Sequence, residues 1–224
     1  MKLAEPDSIL RQWPQTERPT YRAIQRGPAS LTDAEVIAVL LRTGTGAQSA
    51  LDTARDMIQE CGSLLAVVTK ASGLPSEKTA RIAASLELAR RVLREELSTG
   101  NALSSPRAVR DYLRLALAGR EHEVFVVLLL DAQHRVIAIE ELFRGTLTQT
   151  SVYPREVVKI ALRHNAAALI FAHNHPSGVA EPSSADELLT RTLKQALSLV
   201  DVQTLDHFIV AGGTTTSFAE RGLL

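Results

Sequence analysis

Apolar positions recur at two different periods along this chain, and the change of period divides it. Thr32-Asp33-Ala34-Glu35 has the form of a capping box, and the helix it opens runs into Arg42 and stops at Gly44. Ser49 to Asp52 repeats the start signal, and that second helix ends near Cys61-Gly62. A short apolar stretch, 64–68, leads to Ser72-Gly73-Leu74-Pro75. Ser76 then opens a long helix with Ile82, Leu86, Ala89 and Leu93 on one stripe. Ahead of these helices, residues 1–30 are polar and carry Pro6, Pro14, Pro19 and Pro28, which predicts an irregular arm.

Small polar residues, Gly100 and Pro106 then cluster over 98–106, the composition of a linker. Beyond it the pattern becomes that of strands. After a helix over 107–118, Val124 to Leu130 is a continuous apolar run bounded by charge, which predicts a buried strand. Residues 135–143 read as its antiparallel neighbour across the turn Asp131-Ala132-Gln133-His134. Pro154 opens a helix through about Arg163. Residues 166–172 form a third strand, Ser183 starts a helix to about Leu199, 202–210 form a fourth strand and 214–218 a fifth. The expected architecture is α+β, a mixed sheet flanked by helices, preceded by a small all-helical domain. The boundaries read as 1–30, 31–97, 98–106 and 107–224.

Composition narrows the function. Lys+Arg and Asp+Glu are 25 each, so the chain lacks the basic excess that drives strong non-specific nucleic-acid binding. The balance is also local, with 13 basic and 12 acidic residues over 1–100. Cys61 is the one cysteine, so no intrachain disulfide and no thiolate zinc cluster can form. Any metal must be held by His and carboxylates. Neither a signal-peptide pattern nor an 18-residue apolar run occurs, and the expectation is a cytoplasmic protein without a membrane partner.

The chemistry concentrates after the third strand, at Ala172-His173-Asn174-His175-Pro176-Ser177-Gly178. In extended chain, residues two apart point to the same side, so His173 and His175 can offer both imidazoles to one ion. Asp186 follows three residues after Ser183, and Pro176, Gly178 and Pro182 suit a loop returning to the strand end. Two His and one Asp leave a fourth tetrahedral position for water, the pattern of catalytic rather than structural zinc. Ser183-Ser184-Ala185-Asp186 also reads as a capping box, and one residue can cap a helix and face a metal.

His173-x-His175, seven residues, Ser183, two residues and Asp186 resemble the JAMM motif of MPN-type metalloproteases. The surrounding text resembles the bacterial RadC family, once described as DNA repair proteins. The resemblance rests on Phe143-Arg144-Gly145-Thr146, Ser151-Val152-Tyr153-Pro154-Arg155-Glu156, Leu205-Asp206-His207 and Ser217-Phe218-Ala219-Glu220-Arg221-Gly222. Arg26-Gly27-Pro28 and Leu41-Arg42-Thr43-Gly44 extend it toward the N-terminus. It implies a zinc-dependent peptidase or isopeptidase, with a peptide or protein as substrate. His173, His175 and Asp186 would hold Zn2+, and Ser183 would steady the oxyanion. An upstream glutamate would act as general base: Glu123 is the choice, with Glu121, Glu140 and Glu141 as competitors. His207 reads as either a partner of a metal ligand or a structural residue. Ser177 reads as a turn residue. His122, His134 and His164 are expected to be exposed, and Arg144 and Arg155 to bind an anionic group or to form ion pairs.

RadC-type N-terminal regions resemble helix-hairpin-helix modules, whose Gly-apolar-Gly hairpin brings backbone N–H groups to a DNA phosphate. The matching place reads Gly73-Leu74-Pro75-Ser76-Glu77-Lys78. Pro75 stands where the second glycine would be and has no N–H to donate. DNA is therefore the weaker partner expectation. Two alternatives remain to the hydrolase: a DNA-associated repair or recombination factor, and a non-catalytic interaction module.

Overall fold

A computed structural model describes residues 13–45, 48–71, 77–102, 106–117, 119–145 and 152–224. These fall into two compact units that divide between Leu88 and Ala89.

The first unit is helical: α1 (Pro19–Arg26), α2 (Asp33–Leu41), α3 (Ala50–Cys61), α4 (Leu64–Ala71) and the start of α5 (Glu77–Thr99). Thr32 caps α2 through a full capping box, and Ser49 accepts from the Asp52 N–H at the start of α3. Gly62 ends α3 in the left-handed conformation at φ 76°. Ile37, Leu41, Leu51, Ala54, Val67 and Ile82 form the core. Two segments differ from expectation. Residues 19–26 form a helix rather than an irregular arm, because Pro19 sits at the first helical turn, where its missing N–H has no intrahelical partner to lose. The apolar stretch after Cys61-Gly62 is also a helix, α4, with the Ser63 hydroxyl accepting from the Ala66 N–H. The hairpin 73–76, with Pro75, lies outside the described residues.

The second unit begins within α5. That helix runs on to Thr99, and Leu97 and Ala102 are buried in the same core as helix α6 (Pro106–Leu117). Leu97 and Ala102 thus anchor this segment to the core, while Ser98, Thr99 and Asn101 between them are exposed. Beyond α6 follow β1 (Glu123–Leu130), β2 (Val136–Gly145), α7 (Pro154–Arg163), β3 (Ala168–Asn174), α8 (Ser184–Ser198), β4 (Gln203–Ala211) and β5 (Thr214–Ser217). The strands form one mixed sheet in the order β2-β1-β3-β4-β5, parallel only between β3 and β4. The fold is α+β, as the pattern of apolar runs predicts.

Both faces of the sheet are covered, which explains why β1 reads as unbroken apolar sequence. Val124, Val126, Leu128 and Leu130 pack with α6 on one face. Phe125, Val127 and Leu129 pack with α7 and α8 on the other. Each such side chain taken from water contributes about 1.5–3 kcal/mol before conformational entropy is subtracted. β4 holds one extra residue against β3, at Leu205, where Leu169 pairs with Thr204 but Ile170 pairs with Asp206. This bulge brings His207 opposite Phe171, on the α7/α8 face. No described helix is long and apolar enough to cross a membrane.

Candidate metal centre

Strand β3 supplies the first side chain of the site. It extends two residues past its expected end, so His173 lies within it and is fully buried. His173 pairs with Phe125 of β1 and stacks on that ring, with centroids 6.2 Å apart. His175 leaves the strand, yet its N–H still donates to the Val210 carbonyl at 2.9 Å and keeps it in line with the sheet. The chain then turns through Pro176, Ser177 and Gly178. Gly178 adopts φ 82°, a conformation an L side chain would strain, and its N–H donates to the His175 carbonyl. Ser177 serves the same turn, its hydroxyl lying 3.5 Å from the Val179 N–H.

Helix α8 supplies the carboxylate. Ser183 is its N-cap and Asp186 its third residue, joined in a complete capping box. The Ser183 hydroxyl donates to Asp186 Oδ2 at 2.6 Å and accepts from the Asp186 N–H at 3.2 Å. The Ser183 N–H donates to Oδ2 at 2.8 Å. The cap aims the carboxylate at the end of β3. Asp186 Oδ1 lies 3.2 Å from His173 Nε2, and Oδ2 lies 3.5 Å from His175 Nε2. The two Nε2 atoms are themselves 2.9 Å apart. All three ligand atoms thus fall within 4.8 Å of one another.

Counting donors shows what this arrangement requires. The Thr190 hydroxyl donates to the Asp186 carbonyl at 2.6 Å, and a carbonyl only accepts. The hydroxyl must then accept from His207 Nδ1, 2.6 Å away. With its proton on Nδ1, His207 presents a lone pair at Nε2, which receives the His173 Nδ1–H at 2.8 Å. His175 Nδ1–H donates to the Val179 carbonyl at 2.8 Å. With both imidazoles neutral, both Nε2 atoms carry lone pairs, and they face each other and a carboxylate. Three acceptors converge with no donor among them, so the pocket suits a cation with nitrogen and oxygen preference.

The same contacts set the charge around the pocket, and without a cation they favour a proton shared between His175 and Asp186. Burial raises the Asp186 pKa, but the contacts from His173, His175 and Ser183 outweigh it and hold the carboxyl far below its usual range. His175 is pushed up, first by its contact with Asp186 against opposing burial, then by the Val179 carbonyl and the charges of Asp186 and Glu123. His207 is fully buried, and desolvation together with the neighbouring His173 lowers its pKa well below the usual value.

The four glutamates separate by position. Glu123 opens β1, two residues before the partner of His173, and its charge reaches His175. Glu140 pairs with His164 at 3.1 Å, opposite Val127 and farther along the sheet. Glu141 pairs with Arg120 and lies opposite Val126, whose side chain faces α6. Glu121 is exposed in the bend before β1. His122 is exposed, but His134 and His164 are half-buried, the first in its turn and the second against Glu140. Arg144 is exposed. Arg155 lies over the Tyr153 ring and beside Glu156 rather than near the His-Asp cluster.

The pattern of residues did not single out Thr190 or Asn174. Thr190 is four residues after Asp186, a polar side chain at a fully buried helical position. Asn174 sits between the two histidines and points to the opposite face. Its Oδ1 accepts from the Val124 N–H at 2.8 Å, and its amide donates to the His122 carbonyl at 3.0 Å, so it ties β3 to the start of β1. Asp206 has a comparable part beside His207. Burial raises its pKa, while the Ser217 hydroxyl and the N–H groups of Ala219 and His207 donate to its carboxylate.

Residues 103–223 match the family model of the RadC-like JAB domain, and residues 10–83 match the UPF0758 N-terminal model. Similar proteins include a UPF0758 protein of Nitrosomonas eutropha, 57% identical over 96% of this chain and 99% of its own length. A UPF0758 protein of Thiobacillus denitrificans is also 57% identical, and one of Dechloromonas aromatica 56%, with the same coverage.

Proposed function

This chain belongs to the family of RadC-like JAB-domain proteins with a UPF0758 N-terminal region, and from that premise we propose that it is a zinc-dependent hydrolase of amide bonds, a metallopeptidase or isopeptidase. The observation that carries the reading is the convergence of His173 Nε2, His175 Nε2 and the Asp186 carboxylate without a donor between them. Two imidazoles and one carboxylate are the ligand set of a catalytic zinc site with an open fourth position.

A zinc ion held there supplies Lewis acidity and brings the pKa of a bound water to about 7. The protein's own groups do the rest. Glu123, at the edge of the cluster, takes a proton from the attacking water and returns it to the leaving amine. The Ser183 hydroxyl, held at the N-terminus of α8, turns from Asp186 to donate to the oxyanion that develops on the scissile carbonyl. The helix dipole supports negative charge at the same place. The buried walls formed by Phe125 and Phe171 keep the ligand side of the site dry.

Metal content measured by mass spectrometry, on protein purified without a chelating tag, tests the reading. About one zinc per chain is expected in wild type, lost in His173→Ala and in Asp186→Ala. Glu123→Gln is expected to keep the zinc and to lower peptide hydrolysis by about 100- to 10,000-fold. Wild-type protein that takes up no metal even after reconstitution would sink the proposal and turn attention to DNA or protein binding.

A further inference from the structure

We propose that Thr190 and His207 form a positioning relay that holds His173 in the tautomer able to bind a metal. The inference rests on the hydrolase reading for its purpose and on the hydrogen-bond chain for its argument.

The chain closes on itself. Asp186 offers its carboxylate to the site and its carbonyl to Thr190. Thr190 fixes the proton of His207 on Nδ1, and His207 Nε2 then accepts from His173 Nδ1. His173 is left with its lone pair on Nε2, aimed at Asp186 Oδ1 and at His175 Nε2. Each bond is short, from 2.6 to 2.8 Å, and each has one assignable direction. The relay is also sealed. His207 lies edge-on to Phe125 and Phe171 and stacks on Phe218 at 4.7 Å, and both His207 and Thr190 are fully buried.

Water therefore has little access to replace a missing member. The Leu205 bulge sets the register that places His207 on this face at all. If the Thr190 hydroxyl is removed, the Nδ1 proton of His207 loses its acceptor. Moving that proton to Nε2 converts His207 from acceptor to donor toward His173. His173 then accepts at Nδ1 and carries its proton on Nε2, where a metal would have to bind. The geometry thus links a threonine hydroxyl on α8 to the ligand competence of a histidine on β3. Outer partners of this kind are worth 10- to 100-fold in metal affinity.

The test uses the full-length protein as wild type, Thr190→Val, Thr190→Ser and His207→Phe. Zinc affinity is measured by competition with a chromophoric chelator, and imidazole tautomers by 15N NMR of the zinc-free protein. Thr190→Val, which keeps the shape but not the hydroxyl, is expected to bind zinc about 10- to 100-fold more weakly and to show the His173 proton on Nε2. Thr190→Ser restores the hydroxyl and is expected to behave as wild type. His207→Phe keeps an aromatic ring in the Phe125, Phe171 and Phe218 cluster and is expected to weaken zinc as Thr190→Val does. Circular dichroism verifies that each variant is folded, and the pair His207→Phe and Thr190→Ser decides the matter if Thr190→Val does not fold. Wild-type zinc affinity in both Thr190→Val and His207→Phe would overturn the relay and leave the hydrolase reading intact. Wild-type protein without zinc affinity would sink the hydrolase reading, and the tautomers would still decide the relay: a His173 proton on Nε2 in wild type refutes it.

Discussion

Replacing Asn174 with alanine removes a side chain that stitches the strand carrying His173 to the strand carrying Glu123. Three bonds are lost, and their consequences differ. Val124 is 1% exposed, so its N–H, now paired to Asn174 Oδ1 at 2.8 Å, is left buried without an acceptor. An orphaned buried donor costs about 1–3 kcal/mol. The other bonds go to the carbonyls of His122 and Arg120, exposed residues that can turn to water, so their loss together adds only about 0.5 kcal/mol. The total is about 1.5–3.5 kcal/mol, which for a unit of this size lowers the melting temperature by roughly 5–15 °C. Thermal and guanidinium unfolding followed by circular dichroism measure it directly. Zinc uptake is expected to survive, because His173, His175 and Asp186 are held by β3 and α8 rather than by the segment before β1. Hydrolysis is expected to fall, because Glu123 is next to the released Val124. A loss of less than about 0.5 kcal/mol would mean that water satisfies Val124, and that the start of β1 is positioned by something other than Asn174.

The other predictions concern separate parts of the molecule. Arg22 pairs with buried Glu35 at 2.5 Å. Burial alone would raise the Glu35 pKa, but the Thr32 and Arg22 bonds lower it below the ordinary value of a glutamate. A depressed carboxyl stabilises the fold above that value and loses the contribution as pH falls through the lower folded-state value. Urea unfolding of wild type and Glu35→Gln is therefore expected to differ at pH 7 and to converge under strong acid, and a constant difference would refute the pairing. Ser183→Ala is expected to destabilise by about 1 kcal/mol through loss of the cap and to lower hydrolysis by about 100-fold or more; unchanged turnover would remove Ser183 from the mechanism. Leu129→Ala, in the core between β1 and the helices α7 and α8, is expected to cost about 2–5 kcal/mol. Denaturant midpoints give that value, and a smaller effect would mean that the core collapses around the gap.

Much of the molecule is written locally. The capping boxes at Thr32 and Ser183 fix helix starts because the cap, the third residue and the backbone N–H groups are all within one turn. The alternation that offers His173 and His175 to one side follows from the period of an extended chain. Helix α1 was legible too, since proline at the first turn favours a helix there, but the several prolines of residues 1–30 pointed to an irregular arm. The linker-like composition of 98–106 likewise says nothing of Leu97 and Ala102, which are buried through contacts with residues far along the chain.

What the tertiary structure alone decided is the company each group keeps. Glu123 stands apart from Glu140 and Glu141 only because strand register sets which face and which rung each occupies. His207 faces His173 because one extra residue at Leu205 shifts the pairing of β4, and a one-residue shift exchanges the faces of a strand. Thr190 joins them because α8 lies over that face. Local propensity acts within a turn or a few residues, so it places caps, helices and alternating side chains. Register, bulges and helix packing arise from contacts made tens of residues apart, and those contacts turn a His-x-His pattern into three lone pairs and a fixed tautomer.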